Sequence, residues 1–295
     1  MRFGIYRLDG VESEAFLSEL EAELGVSIAI RSVYRAWNDC AIEDDREWFA
    51  SLANSPRDVL LTWEPWRIPS ASACPENQPD FSLQQILSGR YDSYVRDVAR
   101  TIAALPVKVY LRPLHEMNGN WYPWCGTVNG NRPAELIPVW QHLRKLFAEE
   151  GATGVEWVWS PYASSYPACP ENDFTAYYPG DEAVGLVGLD GYNWGNEKEW
   201  GSWQSFTDLF AEAYRKVTGL GSKAVIIAET ASAEGGGDKA AWIGDMLDQL
   251  TAGYPRIEAV FWFDIDKECD WRLHSSGTVL ELFRDRAARL FGAPR

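Results

Sequence analysis

The sequence predicts a single-domain (β/α)8 barrel spanning residues 1–295, and two observations carry the prediction. Short β-branched or aromatic runs recur along the 295 residues, and longer amphipathic segments separate them. Parallel strands need crossovers of this length, usually helical, and their repetition closes into a barrel. An open doubly wound sheet is the alternative. It usually carries a glycine-rich phosphate turn after its first strand, whereas Arg7-Leu8-Asp9-Gly10-Val11 holds no GxGxxG.

In chain order, the strands read at 3–8, 27–34, 59–63, 107–114, 155–160, 184–190, 224–228 and 259–263. Helices read at 12–24, 91–104, 134–150, 203–217, 239–250 and 279–290, each from apolar residues three or four apart. In the second, Val95, Val98 and Ile102 repeat; in the third, Leu136, Val139, Trp140, Leu143, Leu146 and Phe147. Gly25, Gly151, Gly154, Gly219 and Gly221 punctuate the helix ends. The tetrapeptide CPEN occurs at 74–77 and 169–172, too short a match to mark a duplication.

Composition excludes several classes. A formal charge of -16 repels phosphate backbones, so neither nucleic acid nor an anionic membrane surface is an expected partner. No apolar run approaches the roughly 20 residues of a membrane span. The five cysteines form no CxxC pair, and no metal or cofactor is expected. The amino terminus has no apolar stretch resembling a signal peptide, which reads as a cytoplasmic chain, or a secreted one already trimmed. No obligate protein partner is predicted.

Fifteen tryptophans stand out. Many fall where predicted strands end: Trp63 and Trp66, Trp121 and Trp124, Trp157 and Trp159, Trp194, and Trp262. In a parallel barrel those ends carry the active site. Flat indoles among polar groups suit the C–H faces of sugars, so a neutral β-linked polysaccharide or oligosaccharide is the expected partner. Glu116 and Glu229 end two different apolar strands, and glycosidic hydrolysis needs two carboxyls flanking one bond, about 5–5.5 Å apart for retention. Glu64, Asp190, Asp264 and Asp266 are rivals by the same criterion. A carboxylate at a strand end is otherwise a helix cap or a surface ion pair.

The run RPLHEMNGNWYPW at 112–124 resembles the acid/base signature of glycoside hydrolase family 26, approximately R-P-x-H-E-x-x-G-x-W-x-x-W. VGLDGYNWG at 187–195 and IIAETAS at 226–232 resemble that family's later strands, in the same order. The resemblance implies a metal-independent retaining glycosidase on a (β/α)8 barrel. Glu116 would be the general acid/base and Glu229 the nucleophile. Arg112 and His115 would line the subsite of the reacting sugar, Tyr192 would hydrogen-bond the nucleophile, and Asp190 would hold polar groups in place. Trp121 and Trp262 would be sugar platforms, with Trp271 the alternative to Trp262. For both His115 and Glu116 to reach the cleft, a bulge is expected to break the alternation there.

Most members of the resembled family cleave β-1,4-mannan, fewer cleave mixed-linkage β-1,3-1,4-glucan, and a few cleave β-1,3-xylan. The expected activity is endo-hydrolysis of mannan, with mixed-linkage glucan as the alternative. Trp121-Tyr122-Pro123-Trp124 departs from the W-F-W-W of many mannanases, because Pro123 stands where they have an aromatic platform. A catalytically silent carbohydrate-binding barrel is the alternative of another class. His142 reads as a surface or core residue, and His274 as lying outside the cleft. Cys125 reads as a packing residue, and Gly235-Gly236-Gly237 as a flexible loop.

Overall fold

A computed structural model describes residues 1–8, 13–68 and 74–294. Asp9, Gly10 and Val11 of the first predicted turn, and Glu12 at the start of the first predicted helix, lie outside the described residues. Eight strands join in chain order as a closed barrel. They are β1 (Arg2–Tyr6), β2 (Ile30–Ala36), β3 (Asp58–Glu64), β4 (Val109–Pro113), β5 (Glu156–Trp159), β6 (Leu186–Asn193), β7 (Val225–Ser232) and β8 (Ile257–Phe263). Each predicted strand overlaps one of these.

The helices are α1 (Glu14–Leu24), α2 (Ile42–Ser51), α3 (Leu83–Leu87), α4 (Asp92–Ala103), α5 (Leu136–Glu149), α6 (Phe206–Leu220), α7 (Lys239–Ala252) and α8 (Gly277–Phe291). Two of them have no counterpart in the sequence reading. α3 is too short to show a period, and α2 buries Ile42, Asp45 and Phe49 amid exposed charged residues. Among the described residues the β5–β6 connection holds no α-helix, only 3-10 turns at Pro170–Asn172, Phe174–Tyr177 and Asp181–Ala183.

The chain forms two compact units. One comprises Met1–Val33, Gly188–Gly219 and Ala224–Arg295. Its core includes Phe3 against Phe283 and Phe291, with ring centroids 5.5 and 5.0 Å apart. Side chains of Asp238 and Ser276 cap α7 and α8 by accepting from Ala241 N and Val279 N. Along β7–β8 the register shifts between Ile227 and Thr230, where β7 carries one residue more than β8 between the pairs Ile227–Val260 and Thr230–Trp262. That bulge contains Ala228 and Glu229.

The other unit comprises Tyr34–Val187 and Leu220–Lys223. α4 buries Tyr94, Val95, Val98, Ala99 and Ile102, and α5 buries all six residues that the period assigned to it. The β3–β4 register runs unbroken from Val59–Val109 to Trp63–Pro113.

Candidate active site

At the end of β4 the chain leaves the sheet through two left-handed residues, Leu114 with φ 55° and Glu116 with φ 51°. Such angles are strained for side chains other than glycine, and strain of this kind gathers at functional sites. This turn takes the place of the expected bulge: strand alternation stops at Pro113 because pairing stops there. Glu116 N donates to Ser160 O at 2.8 Å, and Gly119 N donates to Glu116 O at 2.9 Å.

Glu116 is 6% exposed, and Trp121 Nε1 donates to its Oε2 at 2.6 Å. The half-buried Trp121 ring also meets Tyr162 edge-on at 5.4 Å. A Cβ on Gly119 would stand 2.6 Å from that indole, so glycine at this position makes room for the ring that serves the carboxyl. His115 is buried, with Tyr122 and Trp124 packed on its ring at 4.8 and 5.8 Å. Tyr122 and Trp124 stack on each other at 4.4 Å and 9°. Arg112 is fully buried, donating from Nε and Nη2 to Thr62 Oγ1 and from Nη2 to Tyr34 OH.

Asn118, inside the signature, is a residue that the sequence reading passed over. Fully buried, it donates to Tyr162 O and Ser165 Oγ and accepts from Tyr162 N, so it holds the loop after β5 to the loop after β4. Asn172 of the second CPEN donates to Asn118 O. Cys125 donates to Glu116 O, and burial pushes its thiol up to about 12. A thiol held protonated cannot serve as a nucleophile, which agrees with a packing role.

In the other unit, Glu229 sits in the β7 bulge and is 6% exposed. Tyr192 OH donates to its Oε2. Asp190 lies two residues before Tyr192 on β6, on the same face of the strand, and is fully buried. The Tyr192 ring contacts Trp271 at 5.2 Å and Phe263 edge-on at 5.7 Å.

Trp262 is not a platform. It has no exposed surface, packs toward Trp242 of α7, and donates from Nε1 to Trp271 O at 2.8 Å. Strand alternation places its neighbour Phe263 on the other face. That ring is partly open, stacks on Tyr6 of β1 at 4.9 Å and faces Tyr192. Trp271 is 1% exposed and cannot take the platform role either. Neither Phe263 nor Tyr6 is a tryptophan, so the composition that singles out the strand ends does not point to them.

The rival carboxylates divide by their neighbours. Asp264 is buried, accepting from Arg7 Nε at 2.5 Å and Leu273 N at 2.6 Å. Asp266 pairs with Arg272 at 3.4 Å in the open. Glu64 accepts from Trp66 Nε1 at 3.3 Å. His142 pairs with Asp92 between α5 and α4, and His274 Nδ1 lies 2.8 Å from Arg7 Nη2. Among the described residues no three His, Cys, Asp or Glu side chains converge as metal ligands.

Endoglucanase H of Acetivibrio thermocellus is 35% identical over 245 residues, 81% of this chain and 25% of that protein. A mannan endo-1,4-beta-mannosidase of Bacillus subtilis is 35% identical over 106 residues, 34% of this chain and 27% of that one. The chain thus spans about a quarter of the length of these curated relatives. Among solved structures, the catalytic domain of a Bacillus sp. JAMB-750 GH26 endo-beta-1,4-mannanase shares the fold, with a TM-score of 0.71 and 16% identity over 97% of this chain and 85% of that one. The description "Glycosyl hydrolase family 26" belongs to the family profile that matches residues 77–285. The chain belongs to glycosyl hydrolase family 26.

Proposed function

We propose that the chain is a retaining endo-β-glycosidase acting on β-1,4-linked polysaccharide, with Glu229 as nucleophile and Glu116 as acid/base. One observation carries this reading: two glutamates, one in the turn just past β4 and one in the β7 bulge, each 6% exposed, each with an aromatic donor on Oε2. Surface carboxylates are seldom so buried, and neither has the setting of a helix cap. Glu229 attacks the anomeric carbon, forming a glycosyl ester as the C1–O bond to the leaving sugar breaks. Glu116 gives its proton to that oxygen. It then takes a proton from water, whose oxygen displaces Glu229 from the same carbon with net retention.

Mannan is the first backbone on this reading, since relatives named mannan endo-1,4-beta-mannosidase recur among the matches. β-Glucan is the second, favoured by the alignment with Endoglucanase H along 81% of the chain and by Pro123 in the signature. Reducing-sugar release from galactomannan, barley glucan, lichenan and β-1,3-xylan in parallel separates them.

Glu229→Ala is expected to abolish turnover on every substrate. Glu116→Ala should cost roughly 10²–10⁴-fold on polysaccharide but far less on an aryl glycoside whose leaving group needs no proton. Equal losses on both substrates would overturn the assignment of roles. Binding without turnover in the wild type would make the chain a silent carbohydrate-binding barrel.

A further inference from the structure

An aromatic run leads away from Glu229. Tyr192, which donates to that carboxyl, touches Trp271 at 5.2 Å, Trp271 meets Trp194 edge-on at 5.0 Å, and Trp194 meets Trp200 at 4.8 Å and 61°. The inner rings, Tyr192 at 8% and Trp271 at 1%, are buried; exposure then rises outward from Trp271 through the half-buried Trp194 to 68% at Trp200. Trp200 and Tyr166 are the exposed large aromatics among the described residues. Tyr166 also ends such a run, through Trp121 to Glu116.

The loop that carries Trp200 is braced at both ends. Buried Asn193 closes it at both ends, its Oδ1 accepting from Gly195 N at 3.3 Å and Gln204 N at 2.9 Å. Trp242 Nε1 fixes Gln204 O at 2.7 Å, and Gly201 N turns back to Lys198 O. The glycine run read as flexible is instead its seat. Asn196 N donates to Gly235 O, and a Cβ at Gly235 would stand 2.4 Å from Asn196 Oδ1. One at Gly237 would stand 2.4 Å from the Trp203 ring. Fixing an indole in water before any ligand arrives lowers the ordering cost of binding.

We propose that Trp200 is a platform for a distal sugar of the same β-linked chain whose reacting unit sits at Glu229, so that the site binds a long glycan. This rests on the glycanase reading above. The occupant is argued from continuity: the rings join Trp200 to the nucleophile's own hydrogen-bond donor without a break, and flat uncharged rings suit neutral sugars.

The test compares wild type, Trp200→Ala and Trp200→Phe on an aryl glycoside and on β-linked oligosaccharides of increasing length. Trp200→Ala should raise KM on the long substrates roughly five- to tenfold, with a smaller loss on the short ones and partial rescue by Trp200→Phe. In native gels containing soluble galactomannan or β-glucan, the Glu229→Ala protein should be retarded and the Glu229→Ala/Trp200→Ala protein less so. Equal losses at every length, equal retardation, or a Trp200-dependent change in oligomeric state would overturn the platform while leaving the glycanase reading intact. A wild type that neither cleaves nor is retarded by any glycan of the panel would remove both.

Discussion

Tyr192 gives its phenolic hydrogen to Oε2 of Glu229, and both groups are nearly sealed from solvent. A hydrogen bond to a charged group is worth about 1.5–3 kcal/mol. Tyr192→Phe keeps the ring against Trp271 and removes only the donor. We expect kcat/KM to fall roughly 10- to 100-fold, with the melting temperature little changed. Steady-state kinetics beside a thermal scan checks this, and an unaltered kcat/KM would mean that the bond does not position Glu229 for the proposed reaction.

Trp121 makes the corresponding contact to Glu116, and its consequences should depend on the leaving group. Trp121→Phe deletes the indole N–H while keeping a ring beside Tyr162. The loss is expected mainly on polysaccharide, where the departing oxygen needs a proton, and much less on an activated aryl glycoside. Gly119→Ala drives a methyl group into the same indole and should show the same substrate selectivity together with a lowered melting temperature. A variant equally impaired on both substrates would place Trp121 in sugar binding alone.

Cys125 provides a pH test. Burial holds its thiol at about 12 against an ordinary 9.0. The unfolded thiol therefore releases its proton first, and the stability this group contributes is full below pH 9 and lost as pH rises toward 12. At pH 10 the loss is on the order of 1 kcal/mol, and Cys125→Ala should lack that alkaline increment in urea titrations at pH 7 and pH 10. Native alkylation at pH 8 should label exposed Cys74 and spare Cys125, as read by peptide mass spectrometry.

Lys239 is the opposite case. Almost fully buried at the start of α7, its Nζ donates to Asp270 O, Arg272 O and Ser275 Oγ, tying down the loop that carries Trp271. Burial pushes it down to about 8, outweighing the pull of Glu234, Asp270 and Asp264. Here the unfolded state binds the extra proton between about 8 and 10.5, so this group's contribution to stability rises with pH across that window. Lys239→Met should melt lower than wild type, by a margin wider at pH 10 than at pH 7. A margin that narrows with pH would contradict the assigned protonation.

The sequence alone determined the order of strands, the helical faces of α4 and α5, and the segment following β4 that carries Glu116. Each is written in residues a few positions apart, through period, capping and a contiguous signature, so neighbours in sequence suffice to read it. Tertiary structure decided which side chain at a strand end points where. Alternation predicted a bulge beside Glu116, but the strand simply ends there in two left-handed residues, and the bulge lies in β7 at Glu229. The same parity turned Trp262 toward α7 and left Phe263 beside Tyr192. The glycine run showed its role only against the loop it supports. Register and close approach depend on the partner strand or loop, which lies tens of residues away in the chain, and no local pattern records it.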